Sequence, residues 1–296
     1  MGATITVEQD LRTNEQRWEL LQTKAREHRA VQAFALFREN GIEPILIKGV
    51  AAARFYPQSK TRFSIDIDLA VSAIDFPRAQ ALATSAAADR LAIDLHRELR
   101  HLDTVDWQNL FENSHLLDLD KGKIRVLRPE DHLRVLCVHW LTDGGSNKEK
   151  LWDIYHIVAN RPADFDWGRF LNVVPPRRRR WLVCAIGLAH KFLGLDLHGT
   201  PIHAEARELP HWLVQTVERE WAAEVKTWPL EASLHDRKLL ATQVKKRLRP
   251  NPIWATIQME GSFDARTRVF YQLGSVLKRI VPSLRRIKEA VRLRTA

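Results

Sequence analysis

The sequence predicts an α+β chain: a small mixed sheet with flanking helices over residues 1–128, followed by a mostly α-helical domain with basic C-terminal helices over 129–296. Three observations carry that expectation. Short apolar runs of period two alternate with helical segments as far as residue 128. From Pro129 onward the apolar period is helical throughout. A chain of 296 residues is also long enough to bury a large core in one or two domains.

Asn14 to Asn40 reads as a helix with Trp18, Leu21, Ala25, Ala30, Phe34 and Phe37 as its apolar stripe, closed by Gly41. Pro44-Ile45-Leu46-Ile47 reads as a short buried strand ending at Lys48-Gly49, and Val50 to Tyr56 as a short helix stopped by Pro57. Phe63 to Val71 alternates strictly and predicts a strand with Ser64, Asp66, Asp68 and Ala70 on one face. A helix over about Phe76 to Ala88 follows, with Asp75 as N-cap and Pro77 in its first turn. Leu91 to His96 alternates again, placing Asp94 and His96 opposite an apolar face. Leu116–Asp120 and Lys123–Leu127 predict a hairpin across Lys121-Gly122. Beyond the change of period, the runs around Leu133–Trp140, Leu151–Val158 and Trp181–Leu193 are successive apolar helix faces.

Composition narrows the class. Hydrophobic residues at 45% and charged residues at 28% are ordinary for a soluble globular protein, and no apolar run reaches the ~18 residues of a membrane span. The N-terminus lacks the basic-then-apolar pattern of a secretion signal. The two cysteines, Cys137 and Cys184, lie in apolar helical stretches, which points to reduced buried thiols in a cytoplasmic protein rather than a disulfide framework or zinc site. A net charge of +10 favours polyanionic partners, or else simply solvates the surface.

Asp66-Ile67-Asp68 carries the chemistry. On one strand face the two carboxylates stand about 7 Å apart, and aspartate is disfavoured in strands. A divalent metal between them would offset that cost. The expected sheet brings Asp66, Asp68 and Asp94 to one edge, and three carboxylates suit two hard cations, Mg2+ or Mn2+. Gly49 opens a helix whose amides could hold a phosphate, with Lys48, Lys60 and Arg62 close enough in sequence to neutralise a triphosphate and Ser64 on the aspartate face beside them. A solvated outer face of a half-buried strand is the plain structural alternative for the aspartates.

Leu46-Ile47-Lys48-Gly49, Tyr56-Pro57, Arg62, Asp66-Ile67-Asp68-Leu69 and Ile93-Asp94-Leu95-His96 together resemble the uncharacterised nucleotidyltransferase family of the polymerase-beta-like superfamily. The similarity runs from about residue 30 to residue 195 and includes Pro129-Glu130-Asp131-His132-Leu133 and the helix bearing Trp152-Asp153. The resemblance implies an enzyme that moves a nucleoside monophosphate from an NTP to an acceptor, either RNA (a tRNA end among them) or a sugar, peptide or protein. It implies Asp66 and Asp68 as ligands of both metals, and Asp94 as the residue that completes the set and helps deprotonate the acceptor. It also makes Gly49 the phosphate-binding glycine, and Lys148 or Lys150 a basic residue lent by the helical domain to the triphosphate.

Two other readings stay open. Asp-x-Asp also occurs in glycosyltransferases that hold a nucleotide-sugar through manganese, although only one strand precedes Asp66 here. Val50 stands where the superfamily often has serine, which motivates a non-catalytic binding or regulatory module. Arg177–Arg180 read as a solvated charge run or an anion contact. His132 and His139 lack a third ligand at metal spacing, and the stretch Val269–Arg294 is expected to pack on the helical domain.

Overall fold

The computed structural model describes residues 14–57, 60–62, 64, 66–223, 238 and 250–279. Two compact units emerge, one from the residues up to Leu99 together with Trp107–Arg128, the other from Arg100–Asp106 together with the chain from Pro129 onward.

The first unit is built on a five-stranded mixed sheet of order β3-β2-β1-β5-β4, with β1 Ile45–Leu46, β2 Ile67–Val71, β3 Ile93–Arg97, β4 His115–Leu119 and β5 Gly122–Val126. β2 and β3 are parallel, as are β1 and β5; β1 runs antiparallel to β2, and β4 to β5. The parallel β2–β3 pair needs a crossover, which α3 (Phe76–Ala83) supplies. The β4–β5 hairpin turns through Asp120-Lys121.

α1 (Asn14–Glu39) packs Ala30, Ala33, Phe34 and Phe37 into the core with Leu46, Leu69, Val71, Ile124 and Val126. The apolar stripe does not pack along its whole length: Trp18 and Leu21 are 63% and 62% exposed. A helix of 26 residues rises about 39 Å, whereas a five-residue strand spans about 17 Å, so the N-terminal half outruns the sheet. α2 (Val50–Ala53) is a single turn, and α4 (Trp107–Glu112) precedes the hairpin. α3 stops five residues short of the expected Ala88, and Asp75 makes no side-chain cap; its carboxylate accepts instead from Ser72 Oγ at 2.7 Å.

β2 begins at Ile67 rather than Phe63. Its pairing with β3 starts where Ile67 N donates to Ala92 O at 2.9 Å, and Ala92 sits at φ +51, which ends the ladder on that side. Asp66 therefore lies in the bend before the strand, off the pleat; Phe63 and Ile65 fall outside the described residues.

The second unit is helical: α5 Pro129–Thr142, α6 Lys148–Ala159, α7 Trp167–Asn172, α8 Pro176–Leu193, α9 His203–Arg207, α10 His211–Ala222 and α11 Pro252–Gln258, with a further helix through 269–279. α8 is its centre. A Cβ on Gly187 would meet Ala206 O at 2.1 Å, so glycine is required for α9 to come this close. The four arginines at the start of α8 find partners within the chain, Arg178 from a buried position and Arg177 from an exposed one. Arg178 pairs with Glu260, Arg179 with Glu205 and Arg180 with Asp264, while Arg177 donates to Glu260 O. A buried network lies beneath α5, where Arg134 Nε is 2.9 Å from Asp103 and its guanidinium also meets Asp131, which Arg169 holds at 2.7 Å. Such a pairing is what allows charges into a core.

In the last described helix Ser275 faces inward, and Phe270, Leu273 and Leu277 are exposed rather than packed; Ile280, Leu284 and the basic residues after them lie outside the described residues. Both cysteines are buried and free, and burial pushes the Cys184 thiol up to about 12 and Cys137 higher still. No described helix is long and apolar enough to cross a membrane.

Candidate metal and nucleotide site

The register of β2 against β3 assembles the site. Asp68 is paired with Asp94 and Ala70 with His96, and the period of two along β3 puts Asp94 and His96 on one face. His96 Nε2 lies 3.4 Å from Asp94 Oδ2 and 3.5 Å from Asp68 Oδ1. One ligand atom from each of the three lies within 4.8 Å of the others. A cation held at about 2.0–2.6 Å separates its ligands by no more than about twice that distance, so two carboxylate oxygens and an imidazole nitrogen here fit one divalent ion. Asp68 is buried, whereas the Asp94 side chain is 58% exposed, so the cluster opens to solvent on the β3 side.

Lys48 closes the other flank. β1 ends two residues earlier, at Leu46, but Ile47 N still donates to Asp68 O at 3.1 Å, and this delivers Lys48 Nζ to 2.5 Å from Asp68 Oδ1. Burial alone would raise the Asp68 carboxyl. The hydrogen bond from His96 and the charge and hydrogen bond of Lys48 outweigh burial and hold it at about 2. Asp68 is thus a carboxylate at neutral pH, with the Lys48 ammonium already against it.

A second group gathers around Gly49. Its backbone (φ +60, ψ −122) is one that side-chain-bearing residues avoid, and a Cβ there would stand 3.3 Å from Ser64 Oγ. Ser64 in turn donates to Asp66 O at 3.1 Å. Gly49, Ser64, Asp66 and Arg62 line one solvent-open pocket together with Arg26 and Arg29 of α1. Because α2 has only four residues, its N-terminus carries little dipole; what Gly49 offers is backbone access.

The residues expected from sequence therefore divide. Asp68, Asp94 and Lys48 come together. Asp66 stands outside that cluster, exposed at the bend, and shares the pocket with Gly49, Ser64 and Arg62. Lys60 is exposed on the loop next to Arg62. Lys150 belongs to the second unit, at the start of α6, where its ammonium is 2.5 Å from Asp143 and its amide is capped by Asn147. Sequence reasoning passed over His96 as a ligand, and its signal was the Asp94-x-His96 spacing, two apart on one strand.

No curated protein and no solved structure matches the chain. One family model does match, that of the uncharacterised nucleotidyltransferases, over residues 6–194. This span covers both strands of the cluster, the pocket and helices α5 and α6, and nearly two thirds of the chain. The protein belongs to the uncharacterised nucleotidyltransferase family.

Proposed function

We propose that the protein is a metal-dependent nucleotidyltransferase that moves a nucleoside monophosphate from an NTP to an acceptor hydroxyl. The observation that supports this most directly is the Asp68–Asp94–His96 cluster, found on the paired strands of a family member. In the reaction the acceptor oxygen bonds to the α-phosphorus, and the bond from that phosphorus to the β-phosphate oxygen breaks. The electron pair leaves with pyrophosphate, and the acceptor's proton passes to a base.

Asp68, Asp94 and His96 would hold the divalent cation, Mg2+ or Mn2+, with Asp66 approaching from the bend. Once bound, the cation neutralises the triphosphate and acidifies the acceptor hydroxyl. Asp94, the more exposed carboxylate, takes the acceptor's proton. Asp68, held ionised, anchors the cluster. Lys48, now paired with Asp68, would be available to the phosphates with a cation held at Asp68, and Gly49 would admit them close to the backbone. Lys60, exposed on the loop before β2, adds positive charge on the same unit.

The acceptor is RNA, supported by the net charge of +10, with a sugar, peptide or protein hydroxyl as the rival. The reading places the protein in the cytoplasm, supported by two buried free thiols. A labelled-NTP assay with Mg2+ or Mn2+ tests the reaction. Label should reach an acceptor with the wild type and be lost with Asp68→Ala and Asp94→Ala. Equal transfer by the double variant refutes the assignment. RNA transfer should weaken steeply as salt rises, and transfer to a small acceptor far less.

A further inference from the structure

The helix through 269–279 is amphipathic in the reverse sense of an ordinary surface helix. Polar side chains fasten it to the rest of the second unit. Arg268, just before its first turn, is buried; its guanidinium donates to Ser262 O and Ala265 O and lies 4.7 Å from the centre of the Trp212 ring. Tyr271 Oη accepts from Ser262 N at 3.2 Å, and Gln272 Nε2 donates to Pro250 O at 2.7 Å. Ser275 is fully buried one turn on, and the Arg279 guanidinium lies 4.3 Å from the centre of the Trp254 ring. At 3.6 residues per turn these five positions share one side of the helix. Val269, Phe270, Leu273 and Leu277 fall on the other side and are 54%, 74%, 56% and 68% exposed. A helix that only covers a core turns its apolar stripe inward. Here the stripe faces out, and contiguous exposed apolar side chains mark an interaction surface.

Charge decides what that surface meets. Residues 265–296 hold nine lysines and arginines against one acid, Glu289, so most of the chain's net charge of +10 is concentrated in this stretch. Arg266 and Lys278, both exposed, stand at the two ends of the stripe; the basic residues beyond 279 lie outside the described residues and enter by their charge alone. An anionic lipid surface takes this combination, because apolar groups enter the boundary between headgroups and acyl chains while lysine and arginine stay with the headgroup phosphates. RNA answers the charge but not the stripe, since leucine and valine offer a base no π-face to stack on. A second copy answers the stripe but brings two like-charged stretches together. Four side chains already partly covered also fall short of the about 800 Å² per partner of a stable interface. We infer that the helix through 269–279 docks on an anionic membrane surface, with Val269, Phe270, Leu273 and Leu277 inserted and Arg266 and Lys278 at the headgroups. The attachment is peripheral, as no described helix is long and apolar enough to cross a membrane. It is independent of the nucleotidyl-transfer reading.

The test is sedimentation of the full chain with vesicles of phosphatidylcholine, alone or mixed with phosphatidylglycerol, at low salt. Wild type should pellet with the mixed vesicles, stay in solution with the neutral ones, and be released as salt rises. Phe270→Ser and Leu277→Ser should each weaken binding by about tenfold or more, and Phe270→Trp should retain it. Leu116→Ser, which removes an exposed leucine on β4, should leave it unchanged. Thermal melts of all four variants should match wild type, because each changed side chain is largely in solvent. Equal binding by wild type and both stripe variants to serine overturns the inference, as does equal binding to neutral vesicles. If wild type ignores vesicles while Phe270→Ser loses affinity for an oligoribonucleotide, the face belongs to RNA and the inference falls. It falls equally if vesicles are ignored and sedimentation velocity shows a dimer that Leu277→Ser abolishes.

Discussion

Lys48 Nζ stands 2.5 Å from Asp68 Oδ1, with both side chains almost wholly buried, so the metal-free cluster already holds a cation of the protein's own. An ammonium and a divalent ion cannot both claim Asp68 Oδ1. Lys48→Met should therefore act in two directions. Without metal it leaves a buried carboxylate short of its partner and costs about 3 kcal/mol in urea unfolding. With Mn2+ present the lost competitor should let the ion raise the unfolding midpoint further than in wild type. If Mn2+ stabilises both proteins equally, Lys48 and the cation do not share a position.

The depressed pKa of Asp68 sets an acid limb. A group held at about 2 in the folded chain and near 4 when unfolded contributes stability that is complete above the unfolded value and disappears as pH falls through the folded one. The shift corresponds to about 2 to 3 kcal/mol. Asp68→Asn in EDTA should be less stable than wild type by that amount at pH 7, and the gap should close between pH 4 and pH 2. A gap that stays constant down to pH 2 would show that the carboxylate is not held ionised by Lys48 and His96.

The alternation around Asp68 and around Asp94 made both strands legible, because a period of two survives in a single sequence whatever packs on it. Register does not. That Asp68 lies opposite Asp94, and that His96 thereby joins them, follows from the point at which Ile67 meets Ala92, a tertiary fact. Asp66 was read onto the pleat because Phe63 to Val71 alternates without a break, yet the ladder starts after it. The α1 stripe was legible as a pattern but not in its use, since Trp18 and Leu21 are left exposed while Ala30, Phe34 and Phe37 are buried. Arg177–Arg180 show the same limit: their partners Glu205, Glu260 and Asp264 are 25 or more residues away, and no local pattern announces them.

Gly49 should tolerate no side chain. At φ +60 and ψ −122 an L-residue is strained, and a Cβ 3.3 Å from Ser64 Oγ forces the hydroxyl to move. Gly49→Ala should lower stability by about 1 to 3 kcal/mol in a thermal or urea melt. Adding Ser64→Gly removes the contact but not the backbone strain, so the double variant should recover only part of the loss. Full recovery would mean that sterics alone required glycine here.

His96 makes a prediction about which ion the cluster prefers. Mg2+ asks for hard oxygen ligands, whereas an imidazole suits the later divalent ions, so a set of two carboxylates and one histidine leans toward Mn2+. Electron paramagnetic resonance titration of free Mn2+, with Mg2+ as competitor, reads both affinities. His96→Ala should weaken Mn2+ more than Mg2+ and so narrow the preference. His96→Asp, which restores a third carboxylate on the same strand position, should move the site toward Mg2+. If alanine weakens the two ions alike, the imidazole only steadies Asp68 and Asp94 from 3.5 and 3.4 Å away and contributes no nitrogen to the metal.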